Sequence, residues 1–169
     1  MSKLNKFLLA LMLTGLTQPV LSSQNWLTTG EGTARWGLIK LYDATLRVAP
    51  GMNHQTLLSD TTPLQLELCY ARSLTVENFV DGANHALPDN LTAELNRAVE
   101  KLHQAYQPVS QGDCYLLDHA PERGTALILN GQELVRINTP GFKAVYFGIW
   151  IGESPLSNRL KNNLLRDLP

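Results

Sequence analysis

The chain has 169 residues, of which 44% are hydrophobic and 17% are charged, and its formal net charge is −1. This length fits one domain with a substantial core and leaves no room for a second domain. The near-neutral charge gives no indication of the basic surface that is typical of nucleic-acid binding, so we expect no nucleic-acid partner. Enzymes, small-molecule binders and interaction modules remain open as classes.

The first residues have the pattern of a secretory signal peptide. Lys3 and Lys6 precede an apolar run over residues 7–16, and small residues surround Ser22, after which we expect cleavage. An apolar run of about ten residues is too short for a transmembrane helix, which takes about 20. The sequence therefore predicts a signal peptide at residues 1–22. A single domain at residues 23–169 would then lie in the periplasm or outside the cell, with no membrane span after processing.

Two segments in the first half of the chain indicate β-structure. Residues 35–47 are predicted as a strand or a bent strand pair. Gly30 and Gly32 precede this strand, whereas a dinucleotide-binding loop needs its glycines between a strand and a helix, so we do not interpret them as one. Residues 64–72 alternate between apolar and polar positions, as a half-buried strand does. Arg72 ends the apolar row, where a guanidinium needs solvent, a carboxylate or a bound anion.

The middle of the chain alternates helices and strands. Thr75 and Asp89 are predicted to cap two amphipathic helices. From Gly112 the period changes to two, and Asn130-Gly131 indicates a tight hairpin within a three-stranded meander. The predicted strands of this meander are residues 113–119, 125–129 and 133–137. This order predicts an α+β domain with a mainly antiparallel sheet covered by helices on one face.

The C-terminal part has the clearest helical periodicity. Residues 142–151 are apolar on nearly every face of a helix, which predicts a buried helix that ends at Gly152. A final helix is expected to begin at Ser154-Pro155, an N-cap followed by a residue suited to the first helical position. Its apolar stripe consists of three leucines at helical spacing, Leu156, Leu160 and Leu164.

The sequences of several segments resemble those of the chalcone isomerase-like proteins of bacteria. The resemblance rests on residues 147–157 (FGIWIGESPLS), on Tyr42-Asp43-Ala44 after the Gly-x-Gly-x-x-Arg start, and on residues 68–72 (LCYAR). It extends over residues 30–165. It implies the fold of that family, an open-faced sandwich in which helices cover one face of an antiparallel sheet.

Chalcone isomerase itself closes a flavanone ring with an arginine, a threonine, a tyrosine, an asparagine and a further hydroxyl residue, which stabilise developing oxygen charge. The resemblance places that threonine at Tyr42 and the further hydroxyl residue at Ile149. Residues 28–30, where the arginine is due, contain none, and residues 81–102 give no match for the tyrosine and asparagine. We therefore assign no catalytic residue. The alternative to a non-catalytic protein is an intramolecular lyase or isomerase that acts on a phenolic or enone substrate.

Non-catalytic relatives look like fatty-acid binders that hold a carboxylate with arginine and tyrosine. The chemical equivalents in this sequence, chosen without a matched motif, are Arg72, Tyr70, Tyr42 and Arg35. The resemblance thus implies an exported protein that binds a fatty acid or a similar small amphipathic acid in a cleft between sheet and helices. The inward row of residues 64–70 is the expected wall of this cleft. A structural role for each arginine, and a surface interaction module without a ligand, stay open.

The sequence contains four histidines and two cysteines. The four histidines are never paired at helical spacing, so we predict no metal site, and no cofactor is implied. Cys69 and Cys114 are the only cysteines. A disulfide between them would close a loop of about 45 residues and contribute on the order of 4 kcal/mol. The alternative, two buried unpaired thiols, stays open. Protein partners are not defined by the sequence.

Overall fold

The structure, a computed structural model, describes residues 25–169. The expected signal peptide at residues 1–22 lies outside these residues. Six strands and four helices follow one another within the described part of the chain. In order they are β1 (Leu27–Trp36), β2 (Ile39–Val48), β3 (Leu64–Tyr70), α1 (Val76–Asn84), α2 (Ala93–Ala105), β4 (Cys114–Ala120), β5 (Gly124–Leu129), β6 (Gln132–Ile137), α3 (Phe142–Ile151) and α4 (Asn158–Leu164).

The strands form one sheet in the order β1-β2-β3-β4-β5-β6, and every neighbouring pair is antiparallel. The two faces of the sheet differ, as β3 illustrates. Leu64, Leu66 and Leu68 are buried, whereas Gln65 and Glu67 on the opposite face are only half-buried. The buried face forms one hydrophobic core with residues from all four helices. The predicted α+β fold, a mainly antiparallel sheet covered by helices on one face, is confirmed.

The meander of β4, β5 and β6 forms where the two-residue period predicted it. Its last turn is Asn130-Gly131, and φ is 49° at Asn130 and 85° at Gly131. A type I′ turn requires positive φ at both central residues, which is why this pair is a reliable hairpin signal. The prediction of the meander and of its turn is confirmed.

The first two strands form a hairpin that the sequence indicated only in part. Trp36 pairs with Ile39, so Gly37 and Leu38 are the two residues of the turn. Gly37 has a φ of 58°, the left-handed value that a tight hairpin turn needs at its first position. The expected bent strand pair at residues 35–47 therefore covers only the end of β1 and most of β2.

The missed part of β1 contains two glycines that weaken its strand signal. Both are needed because α4 packs directly against them. A Cβ atom on Gly30 would lie 2.0 Å from the carbonyl oxygen of Asn163, and one on Gly32 would lie 2.7 Å from Leu160 Cδ1. The Thr29 hydroxyl also donates a hydrogen bond to the Leu164 carbonyl at 3.0 Å. The glycines thus allow close packing of helix on strand, in agreement with the rejected nucleotide interpretation.

Two helices begin later than predicted. The cap of α2 is Thr92, whose hydroxyl accepts a hydrogen bond from the Leu95 amide at 3.2 Å, and Asp89 lies in the preceding turn. In the same way, Ser157 caps α4 by accepting from the Leu160 amide at 3.2 Å. Sequence periodicity does not distinguish between cap residues that stand three positions apart.

The correction at α4 changes the position of Leu156. The Leu156 amide donates to the Ile149 carbonyl at 2.9 Å, so the segment after Gly152 folds back along α3 before the last helix begins. Ser154 and Pro155 therefore lie in this segment and not at a helix start. Leu160 and Leu164 are buried as predicted, whereas Leu156 is nearly half exposed and is not part of the helical stripe. By contrast, α3 has the predicted bounds and Thr75 is the cap of α1 as predicted.

A disulfide joins the two cysteines in the structure. Cys69 and Cys114 are directly opposite each other in the antiparallel pairing of β3 with β4, and their sulfur atoms are 2.08 Å apart. Cys69 lies on the face of β3 that points away from the helices. Of the two alternatives that the sequence left open, the structure contains the bonded pair.

Candidate ligand-binding site

A cavity of about 420 Å³ opens at one end of the sheet, between the sheet and the helices. Its walls come from β2, the end of β3, α1, the end of α2 and α3. Pockets for small molecules typically have volumes of roughly 300 to 1,000 Å³ and a mainly apolar lining with a few polar groups. The cavity has the size and the position of such a pocket.

Aromatic side chains form the inner part of the cavity. The ring of Phe79, on α1, lies 5.4 Å from that of Tyr70 and 5.1 Å from that of Tyr106. The rings of Tyr42 and Tyr70 are 5.5 Å apart in an edge-to-face arrangement. The Tyr106 and Tyr146 hydroxyls are hydrogen-bonded at 2.7 Å, which fixes the Tyr106 ring. Edge-to-face and offset packing of this kind makes a rigid apolar wall.

Two tyrosine hydroxyls line this wall with different partners. Tyr42 Oη accepts a hydrogen bond from Trp150 Nε1 at 3.0 Å. Tyr70 is only 5% exposed, yet its hydroxyl has no hydrogen-bond partner within residues 25–169. Burial raises the pKa of Tyr42 and raises the pKa of Tyr70 well above its usual range. Both phenols therefore keep their protons at neutral pH, and Tyr70 has an unused hydrogen-bond donor in the cavity.

Arg72 lies at the mouth of the cavity and is exposed. Its guanidinium makes no hydrogen bond or ion pair with the described residues. Two acidic side chains that a scaffolding Arg72 could pair with, Glu67 and Asp113, have other partners. Glu67 pairs with Arg47 at 2.7 Å, and Asp113 accepts from the Ser110 amide at 2.7 Å. An exposed, unpaired guanidinium beside an apolar cavity is suited to an anionic group of a ligand.

The placement of Arg72 corrects the expected strand pattern. The strand β3 ends at Tyr70, and the chain bends at residues 71 and 72, although the Ala71 amide still donates to the Leu41 carbonyl at 2.9 Å in register with the pairing of β2 and β3. The alternation therefore does not continue to Arg72, which follows in a bend. The expected cleft wall is also wrong for the most part. Of the row at residues 64–70, only Tyr70 lines the cavity, and the three leucines lie in the closed core.

The structure brings three of the four sequence-predicted ligand residues to the cavity. Tyr42, Tyr70 and Arg72 line it, whereas Arg35 does not. Arg35 is exposed on β1, and its Nη1 atom donates to the Leu38 carbonyl at 3.4 Å. The pairing of β1 with β2 shifts register between Ala34 and Arg35. Such an irregularity changes the direction of the strand's side chains, so Arg35 lies away from the cavity.

The sequence missed the contribution of α1. Asn78, Phe79, Gly82 and Ala83 all line the cavity. A Cβ atom added to Gly82 would have no neighbour within 4 Å, so this part of the helix borders open space. The available signal was a pair of small residues on the apolar side of an amphipathic helix. Such a pair leaves volume between helix and sheet that larger side chains would fill.

No group of three or more histidine, cysteine, aspartate or glutamate side chains is arranged to hold a metal ion within residues 25–169. None of the helices in the same part of the chain is both long and apolar enough to cross a membrane.

An open antiparallel sheet covered by helices on one face, with an apolar cavity between the layers, is the open-faced sandwich class of α+β proteins. A family model described as chalcone isomerase-like matches residues 18–166, and the chain belongs to this family. The predicted family is thus confirmed, while its bacterial branch remains a prediction.

A solved structure with a similar fold is a fatty-acid binding protein from Arabidopsis thaliana. The TM-score is 0.68, the sequence identity is 11%, and the alignment covers 85% of this chain and 88% of the other. At this identity the similarity concerns the fold. None of the curated protein sequences matches the chain.

Proposed function

We propose that this protein binds a fatty acid or a similar small amphipathic acid in the cavity and catalyses no reaction on it. The observation that carries the proposal is the combination of groups in one place. Arg72, whose guanidinium is unpaired within residues 25–169, stands at the mouth. Tyr70, whose hydroxyl has no hydrogen-bond partner among the same residues, stands in the wall, and aromatic and aliphatic side chains form the rest. This arrangement matches an anionic head and an apolar chain.

In the proposed complex the carboxylate lies at the mouth. The planar guanidinium of Arg72 can donate two parallel hydrogen bonds to it, a geometry that lysine lacks. Tyr70 supplies a further donor that faces the cavity and has no partner among residues 25–169. The acyl chain extends along Phe79 and Ile149 towards Tyr106, and each buried methylene contributes about 0.8 kcal/mol.

The lining supports binding over isomerisation. The positions at which the resemblance places a threonine and a further hydroxyl residue are Tyr42 and Ile149, and both line this cavity. Ile149 has no group for proton transfer. The raised pKa of Tyr42 keeps its phenol protonated at neutral pH, so it is a poor general base. The similarity of the fold to that of a fatty-acid binding protein also supports binding over isomerisation.

Arg72→Gln tests the proposal. We expect the affinity for a fluorescent fatty acid to fall roughly tenfold or more, about 1.4 kcal/mol, because the charged pair is lost. Arg72→Lys should recover only part of the affinity. Fluorescence titration measures both, and melting curves should be unchanged because Arg72 is exposed and has no partner among the described residues.

Two controls sharpen this test. Arg97→Gln removes an exposed arginine from α2, outside the cavity lining, and should leave the affinity unchanged. The methyl ester of the same acid carries no charge, so wild type and Arg72→Gln should bind it equally. Absence of saturable binding by the wild type would refute the proposal.

A further inference from the structure

The apolar surface of the described residues is concentrated at the mouth of the cavity. The hairpin tip, residues 36–39, contains Trp36, which is 76% exposed, and Leu38, which is 95% exposed. Ile39 in the same tip and Leu156 across the mouth are each nearly half exposed. Of the five large hydrophobic residues that are strongly exposed in residues 25–169, four thus lie here. Exposure of four neighbouring apolar side chains to water is unfavourable, so this apolar surface indicates a partner.

Basic residues stand directly behind the hairpin tip. Arg35 and Lys40 are paired across the two strands, one position further from the turn than Trp36 and Ile39. Arg72 adds a third cation at the mouth. One carboxylate, Asp43, pairs with Lys40. An apolar point with tryptophan, followed by cations, is the arrangement that binds the interface of a membrane with anionic lipids.

We propose that the hairpin tip inserts into the interfacial region of an anionic lipid bilayer and holds the cavity mouth against it. Insertion rests on the tip alone. The consequence for function rests on the proposed fatty-acid binding, since a mouth facing the bilayer lets the acid move between membrane and cavity without crossing water.

The size of the surface favours a bilayer over a protein. The four exposed side chains offer on the order of 500 Å², whereas a stable protein interface takes roughly 800 Å² from each partner. The two-residue turn at Gly37 and Leu38 makes the tip narrow, so it reaches the headgroup region without burying backbone in hydrocarbon.

Leu38→Asp tests the proposal because Leu38 projects from the tip and does not line the cavity. The full mature chain is sedimented with vesicles of phosphatidylcholine, with or without an equal amount of phosphatidylglycerol. We expect wild type to bind the anionic vesicles, with weaker binding at high salt. Leu38→Asp should lower the bound fraction roughly tenfold or more.

Leu27→Asp is the matched control. Leu27 is half exposed at the other end of β1, about 30 Å from the tip at 3.3 Å per residue. Leu27→Asp introduces the same charge as Leu38→Asp, and this variant should bind vesicles as the wild type does. Equal vesicle binding by the two variants, or no binding by wild type, would overturn the proposal. Self-association that Leu38→Asp abolishes, without vesicle binding, would overturn it too and identify a second copy as the occupant.

Fatty-acid titration of the same variants separates this proposal from the proposed function. Leu38→Asp should keep the wild-type affinity for the fluorescent acid, because the substituted residue is outside the cavity. Loss of vesicle binding with retained affinity supports docking by the tip. If the wild type binds vesicles but shows no saturable binding of the acid, docking by the tip is supported and the proposed function is refuted.

Discussion

At the scale of single residues, Lys143 explains how the long loop before β3 is held. It is 1% exposed within α3, a position that few lysines occupy. Its Nζ atom donates to the Ser59 carbonyl at 2.7 Å, the Thr62 carbonyl at 2.6 Å and the Thr62 hydroxyl at 2.8 Å. Burial lowers the pKa of Lys143 to about 8. The sequence did not indicate this role, because the acceptors come from a loop some eighty residues earlier.

His119 anchors the same loop and gives the fold a dependence on pH. Its Nε2 atom lies 2.9 Å from the Asp60 carbonyl, which only accepts, so Nε2 carries the proton. Its Nδ1 atom then accepts from the Thr125 hydroxyl at 2.9 Å. Burial lowers the pKa of His119 below its ordinary value. The unfolded chain therefore takes up the proton first as the pH falls, at about 6.5.

We expect the free energy of unfolding to be highest above pH 6.5 and to decrease as the pH falls towards 5. The His119→Gln variant should show a shallower decrease, although it is less stable at pH 7. Urea denaturation at several pH values measures the slopes. The carboxylates with lowered pKa values, such as those of Asp43 and Glu133, titrate below this window. Burial also lowers the pKa of His103, so His103 contributes the part of the decrease that remains in His119→Gln. Parallel slopes in the two proteins would show that His119 is not the group responsible.

At the scale of elements, helix α1 sets the volume of the cavity. Gly82 and Ala83 line it, and the space beside Gly82 is empty out to 4 Å. A larger side chain at this position would occupy the space that the proposed acyl chain needs. The helix itself would tolerate the change, since leucine is favoured over glycine in a helix by roughly 0.8 kcal/mol.

Gly82→Leu should therefore lower fatty-acid affinity at least tenfold without lowering the melting temperature. Gly82→Ala is the matched control, because it makes the same backbone change and adds only one methyl group. We expect its affinity to stay within about twofold of the wild type. Titration with the fluorescent acid and thermal melting of both variants provide the measurements. Wild-type affinity in Gly82→Leu would place the acyl chain elsewhere.

The accuracy of the sequence predictions also varies by element. The helix α3 and the meander have local signals, an apolar period over ten residues and an Asn130-Gly131 turn, and both were predicted closely. The first half of β1 was missed because its glycines serve packing against α4, which follows more than a hundred residues later. The starts of α2 and α4 depended on which of two hydroxyl or carboxylate caps forms the hydrogen bond. Each cap is a local hydrogen bond over three residues, which the hydrophobic period does not predict.

At the scale of the whole molecule, the candidate site forms from segments that are far apart in the chain, and the sequence alone does not reveal that they meet. Its mouth brings together Trp36, Arg72 and Leu156, which are distant in the chain. Chemistry was sufficient to select Tyr42, Tyr70 and Arg72, since a carboxylate needs donors. It did not exclude Arg35 or reveal the hairpin tip, because both depend on how β1 is paired and bulged. Sequence reasoning thus proposed a ligand class and three of the lining residues but did not locate the pocket.

The disulfide links the whole fold to the proposed export. It joins β3 and β4, the two central strands of the sheet, at the end of their pairing and across a sequence separation of 45 residues. Bonds of this kind persist in oxidising compartments, which is where the signal pattern at residues 1–22 would direct the chain. We therefore expect protein recovered from the periplasm or the medium to begin near Ser23 and to contain no free thiol.

N-terminal sequencing and intact-mass measurement with and without a reductant check both points. Replacing Cys69 and Cys114 together by alanine should lower the free energy of unfolding by roughly 2 to 4 kcal/mol under oxidising conditions, since the unfolded chain gains freedom. Under reducing conditions this double variant and the wild type should unfold at similar urea concentrations, which provides the control. A chain that begins at Met1 and has two reactive thiols would contradict export, and equal stability under oxidising conditions would show that the bond does not form.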